Sequence, residues 1–336
     1  MIDQYSYCIF PTFQARVQRH MENFKYGYFD MKNRPPPIQI KHFQNDRIAA
    51  TAAQKLCLFK LFPIIFHDVI GQLPSFIVYK VLRDILDLVL SYPFRRKWLP
   101  VLRDLCDTFH RTMVEHFPNK IVPKAHFIRE YERMIYDYGP PIKQWCFRYE
   151  ACHLYFKKIS ERTNNFKNVS KMLVTRHRLK QCFQYAHVAR VETLSFPVGM
   201  RTIQTPCFNS SMKKVLTDHF GNIDHIENFK QCNRLVHGSI EYCRSAVYII
   251  DLALSDEIPL FAQVVFILKL TEKWWLLADV LNTISYNEDL FAWEVESADR
   301  YLMLDPSQLR YYHKGMDIYQ VNRCSFVSYT GRLTSY

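Results

Sequence analysis

Apolar residues along this chain change their period. Val78, Val81, Leu82, Ile85, Leu88 and Val89 recur at the spacing of about 3.6 residues that lines one face of a helix. Trp98, Val101, Leu102, Leu105, Phe109 and Met113 repeat the pattern. From Gly238 onward the runs are short and rich in Val, Ile and Phe: Ala246–Leu254, Leu260–Leu270, Trp274–Leu281, Leu290–Glu296 and Tyr301–Leu304. Pro259, Asn287–Glu288–Asp289 and Asp305–Pro306 punctuate them as turns do. One chain cannot satisfy both periods in a single element, so the expected fold class is α+β. An N-terminal α-helical domain is followed by a small antiparallel β-barrel.

Punctuation sets the expected boundaries. Three consecutive prolines, Pro35–Pro36–Pro37, cannot enter a helix interior or a central strand, and residues 1–36 are read as a tail. Residues 37–190 form the helical domain, 191–234 a linker with a helix near 209–220, and 235–336 the β domain. Asn45 and Asp46 are candidate caps for a first helix that Pro63 should kink. Asp84 and Asp87 fall off the stripe of their helix and are expected toward solvent. Further helices are expected over about Lys124–Tyr138, ended by Gly139–Pro140–Pro141, over Trp145–Glu161, and from an Asn168 cap to about Val188.

Composition excludes some classes. With only 8 Gly and neither a GxGxxG nor a GxxxxGK[ST] string, nucleotide chemistry on Gly-rich phosphate loops is not expected. The ten Cys contain no CxxC, so reduced thiols in a nuclear or cytoplasmic protein are expected. No secretory leader opens the chain and no apolar run reaches about 18 residues, so no membrane partner is expected. The net charge of +12 favours a polyanionic partner.

That charge is concentrated. Between Arg148 and Lys180 there are nine cations: Arg148, Lys157, Lys158, Arg162, Lys167, Lys171, Arg176, Arg178 and Lys180. Two carboxylates, Glu150 and Glu161, oppose them. Such a density suits contacts to nucleic-acid phosphates, which bring affinity without sequence reading; the same residues could also be an ordinary solvated face. Glu150, His153 and Lys157 share one helical face, where a carboxylate could hold Mg²⁺ for phosphodiester attack or be one of a row of surface groups.

Several strings in this region go together: KAHFIREY at Lys124–Tyr131, YGPPI at Tyr138–Ile142, WCFRYEACHLYFK at Trp145–Lys157, NFKNV at Asn165–Val169 and RHRL at Arg176–Leu179. Their order and spacing resemble the transposases of CACTA/EnSpm-type elements in animals. Tyr26–Gly27–Tyr28, Lys55–Phe62, Leu82–Ser91, Pro259–Leu260–Phe261 and Tyr301–Pro306 extend the likeness over most of the chain. The resemblance implies the C-terminal part of an RNase H-like DDE transposase, in which three acids hold two Mg²⁺ ions. It makes Glu150 the candidate third acid and the helices of 44–138 an insertion in the catalytic fold. Lys157, Lys158, Arg162, Lys167, Lys171, Arg176, Arg178 and Lys180 would lie along DNA. The family's zinc-binding His pair falls on His126 and Glu130, and the CxxC that completes that site has no counterpart here.

The first two acids are expected on strands well upstream, before this chain begins, so the chain is expected to need no cofactor and to be inactive alone. Its implied partners are DNA and an upstream transposase chain or a second copy of itself. The alternative is a domesticated nuclear protein-interaction module without DNA chemistry.

Overall fold

A computed structural model describes residues 15–39, 48–91, 94–141, 146–163, 167–188, 195–204, 207–221, 228–238, 240–252, 258–270, 272–309 and 314–331. The helices are α1 (15–23), α2 (Tyr28–Met31), α3 (Ala52–Ile65), α4 (Phe76–Val89), α5 (Leu99–His116), α6 (Pro123–Phe127), α7 (Tyr131–Tyr138), α8 (Cys146–Thr163), α9 (Val169–Val188) and α10 (Ser210–Phe220). The strands are β1 (Ser195–Val198), β2 (Arg201–Gln204), β3 (Asn228–Cys232), β4 (Arg234–His237), β5 (Ile240–Cys243), β6 (Val247–Leu252), β7 (Pro259–Leu270), β8 (Lys273–Asn287), β9 (Ala292–Leu304), β10 (Ile318–Val321) and β11 (Cys324–Val327). The protein is thus mixed α+β with antiparallel sheets.

Thr51 starts α3. Its hydroxyl accepts the Gln54 N–H, and the Gln54 side chain returns to the Thr51 N–H, so two end donors are satisfied. The expected caps Asn45 and Asp46 lie outside the described residues. Pro63 stays inside α3. A proline there frees the carbonyl four residues back, that of Phe59, and the Tyr79 hydroxyl of α4 donates to it at 2.7 Å.

Along α4, Val78, Val81, Ile85 and Leu88 bury against Leu99, Leu102, Cys106 and Phe109 of α5 and Ile135 of α7, as the stripes require. The other side of α4 corrects the expectation of solvent. Arg83 is 0% exposed and Asp87 8%. The Arg83 guanidinium donates to the Lys60 carbonyl (3.1 Å) and the Thr330 hydroxyl (3.2 Å), and lies over the Phe291 ring at 5.6 Å. The β region covers this face, which is why a charged pair there is buried.

Residues 15–39 also correct the expected tail, whose first 14 residues lie outside the described set. Val17, Met21 and Tyr26 are buried in one cluster with Leu58, Leu61 and Ile65 of α3 and with Ala292, Tyr319, Val321 and Phe326 of the sheet. Tyr319 donates to the Asp30 carboxylate at 2.6 Å, and the Phe29 N–H to Asp317 at 2.9 Å. Helical and β parts therefore share a core across the expected domain boundaries.

The expected linker is also built into the fold. β2 pairs with β3 and β3 with β7. Met212 and Leu216 of α10 pack with Phe208, Phe229, Phe266, Leu268 and Leu277. Asn209 caps α10 by accepting the Met212 N–H at 2.7 Å.

The larger sheet runs β10-β11-β9-β8-β7-β3-β2, with β6 also pairing β7; a smaller one runs β1-β4-β5. Among the described residues no pairing joins β2 to β10, so the path stays open and a closed barrel is not found. Register shifts between Val264 and Phe266, and between Asp279 and Leu281, bend the long strands. The expected break between Glu296 and Tyr301 is such a bulge within β9. Buried Asp279 holds it by accepting the Ser297 hydroxyl (2.5 Å) and the Arg300 N–H (3.1 Å). Among the described residues no helix is long and apolar enough to cross a membrane.

Candidate nucleic-acid interface

The cationic run folds into a helical hairpin. Asn168 turns the chain with a positive φ of 53°, a conformation Asn tolerates better than most residues. Its carbonyl accepts the Met172 N–H at 3.0 Å and opens α9. The seam between α8 and α9 is aromatic. The His177 ring lies 5.3 Å from Phe156 and 6.4 Å from Tyr155, and its Nδ1 is buried without a hydrogen-bond partner. The Lys180 ammonium sits 4.1 Å from the centroid of Tyr155, so one cation also serves the seam.

The expected cations of the hairpin face solvent. Lys157, Lys158, Arg162, Lys167, Lys171, Arg176, Arg178 and Lys180 are all exposed. Over residues 152–186, whose side chains are described apart from those of 164–166, Glu161 is the only carboxylate in the sequence. It lies 4.0 Å from Lys157 in a pair that is itself exposed, and such pairs stabilise by less than about 1 kcal/mol. Eight cations facing water against one carboxylate repel one another. An anionic surface laid across them would relieve that repulsion.

The other expected site residues are placed less tellingly. Glu150 lies in α8, three residues before the exposed His153, and its side chain is outside the described set. His126 is exposed on α6, and its ring meets that of His110 on α5 at 6.1 Å. The helix expected to continue through this region tightens into a 3-10 turn at Ile128–Glu130, and Glu130 is exposed at its end. His110 was not singled out in the sequence, because it belongs to none of the strings. Among the described residues no group of three or more His, Cys, Asp or Glu side chains converges as a metal site would require.

A second polar centre was invisible in the sequence. Arg83 and Asp87 sit beside Lys60 of α3, and Lys60 lines a small pocket with Asp30, Lys314, Asp317, Tyr319 and Thr330. Burial raises Asp87 to about 6, against the opposing pull of Arg83. Lys60 is lowered to about 8, first by burial and then by Lys314 and Arg83. Asp30 and Asp317 are already committed to Tyr319 and to the backbone of the N-terminal segment. This centre joins α3, α4, the N-terminal segment and the C-terminal strands, and its contacts are those of a structural cluster.

Comparison of the chain with models of known protein families, with curated proteins and with solved structures finds no match.

Proposed function

We propose that this chain is a transposase-derived DNA-binding protein that grips the duplex backbone with the α8–α9 hairpin. The observation that carries the reading is the excess charge of that hairpin, eight exposed cations against one carboxylate over residues 152–186. Its eight exposed cations sit on a fold whose cores are elsewhere, and the strings at Lys124–Leu179 supply the likeness to CACTA/EnSpm-type transposases. Glu150 takes the place of the third of the family's three catalytic acids. Binding, which needs only the exposed cations, is the activity assigned here; Mg²⁺ chemistry at Glu150 would need the family's two further acids. His126 and Glu130 stand as a degenerate remnant of the family's zinc pair, and the β region takes the place of its β appendage.

Exposed Leu154, Val174, Leu179 and Phe183 on the same hairpin favour a second reading, a nuclear protein-interaction module. Fluorescence anisotropy with a labelled duplex separates the two. Lys157→Ala/Lys158→Ala/Arg162→Ala should weaken binding by at least about tenfold at low salt, and equally for unrelated sequences, because lost phosphate contacts carry no sequence information. Identical affinity in the triple variant would sink the hairpin as the contact surface, and no binding by either protein would leave the interaction module.

A further inference from the structure

The far end of α9 differs from every other long helix in the described structure: residues 178–186 are exposed without exception. A helix end exposed along its whole length gains little from packing in the free protein, beyond contacts such as that of Lys180 with Tyr155. Its surface is nevertheless ordered by chemistry. At about 100° per residue, Thr175, Leu179, Cys182 and Ala186 fall on one strip about 60° wide. The strip lies opposite Leu173 and His177, and His177 is the residue that packs on α8. All four strip residues are exposed, Leu179 at 64%. Lys171 and Arg178 border the strip on one side; Phe183 and Arg176 border it on the other. The face pointing away from the protein is thus small and weakly apolar between two cationic edges.

We propose that this face enters the major groove of duplex DNA, with the strip toward the base edges and the two edges reaching phosphates on opposite groove walls. The inference rests on the DNA-binding reading above and adds the mode of binding. An α-helix with its side chains is about 10–12 Å across, and the major groove is about 12 Å wide. Thr, Ala and Leu at the strip are side chains that meet thymine methyls and leave the helix close to the groove floor. Arg176 and Arg178 lie on opposite edges, so both walls can be held at once. A second copy of α9 is a poor occupant, since it would bring two cationic edges against two more.

The test uses the full chain and two duplexes of one sequence, one with ordinary cytosine and one with glucosylated 5-hydroxymethylcytosine, which fills the major groove and leaves the phosphates unchanged. Binding to the glucosylated duplex should be weaker by at least about tenfold, and netropsin, which occupies the minor groove, should leave binding to the ordinary duplex unchanged. Arg176→Ala and Arg178→Ala should each weaken binding to the ordinary duplex. Equal affinity for the two duplexes, or displacement by netropsin, overturns the groove assignment while leaving phosphate binding by the hairpin standing. Absence of binding to either duplex overturns both.

Discussion

Replacing Arg83 probes how the helical and β parts are joined. Its side chain is fully buried, 3.2 Å from Asp87, and it donates to the Lys60 carbonyl and to Thr330. Arg83→Met keeps most of the volume but leaves the Asp87 carboxylate without a cation and the Lys60 carbonyl without that donor. Breaking a buried pair on one side costs about 3–5 kcal/mol, so a loss of about 4 kcal/mol is expected at pH 8. That is a large share of the roughly 5–15 kcal/mol that holds a domain folded. The dependence on pH identifies the cause. Asp87 is raised to about 6 from 3.8. A carboxyl whose folded pKa is raised favours folding below its unfolded pKa and loses that contribution as pH rises through the folded value. Without Arg83 its pKa rises further, so at pH 5 the variant holds a neutral Asp87 that needs no counterion. Urea unfolding at pH 5 and pH 8 should therefore show a smaller penalty at pH 5. A penalty under about 1 kcal/mol, or one equal at both pH values, would refute the buried-pair account.

Lys60→Met should stabilise the fold by about 2 kcal/mol at pH 7, because an ammonium lowered to about 8 is held against its preference for water. The unfolded chain holds that proton more tightly, so the native protein gains stability as pH rises from 8 toward 10.5; thermal unfolding should show the variant's advantage vanish above about pH 10. Gly27→Ala places a Cβ 2.0 Å from Cγ of Asp317 and should cost about 1–3 kcal/mol, with part of the loss recovered in Gly27→Ala/Asp317→Ala. Leu216→Ala opens a cavity between α10 and the sheet, where Leu216 is 0% exposed. A loss of about 2–5 kcal/mol in denaturant unfolding would place 210–220 within the cooperative fold, and a loss near zero would restore it to a linker.

Some of this fold is legible in the sequence and some is not, for identifiable reasons. The buried faces of α4 and α5 are legible because each meets its partner along one apolar stripe. Arg83 and Asp87 are not, because α4 is covered on two sides and its second face is satisfied by hydrogen bonds, which leave no apolar period. The docking of residues 15–39 depends on pairs such as Asp30 with Tyr319, far apart in the chain, and no local pattern signals them. β9 reads as two strands because its bulge, tied by Asp279, interrupts the alternation. The hairpin cations are legible as an exposed surface because burying eight charges with one opposing carboxylate would be prohibitively unfavourable. Their arrangement around α9 becomes visible only once the helix boundaries and the contact of His177 with α8 are known.

The central claim is that the hairpin binds DNA through phosphates, and the salt dependence of wild-type affinity tests it most directly. If about half of its cations reach phosphates, the slope of log affinity against log salt is about −3.6, a loss of roughly a hundredfold between 50 and 200 mM salt. A slope near that value supports the account. Binding that ignores salt, or no binding at 50 mM, contradicts it.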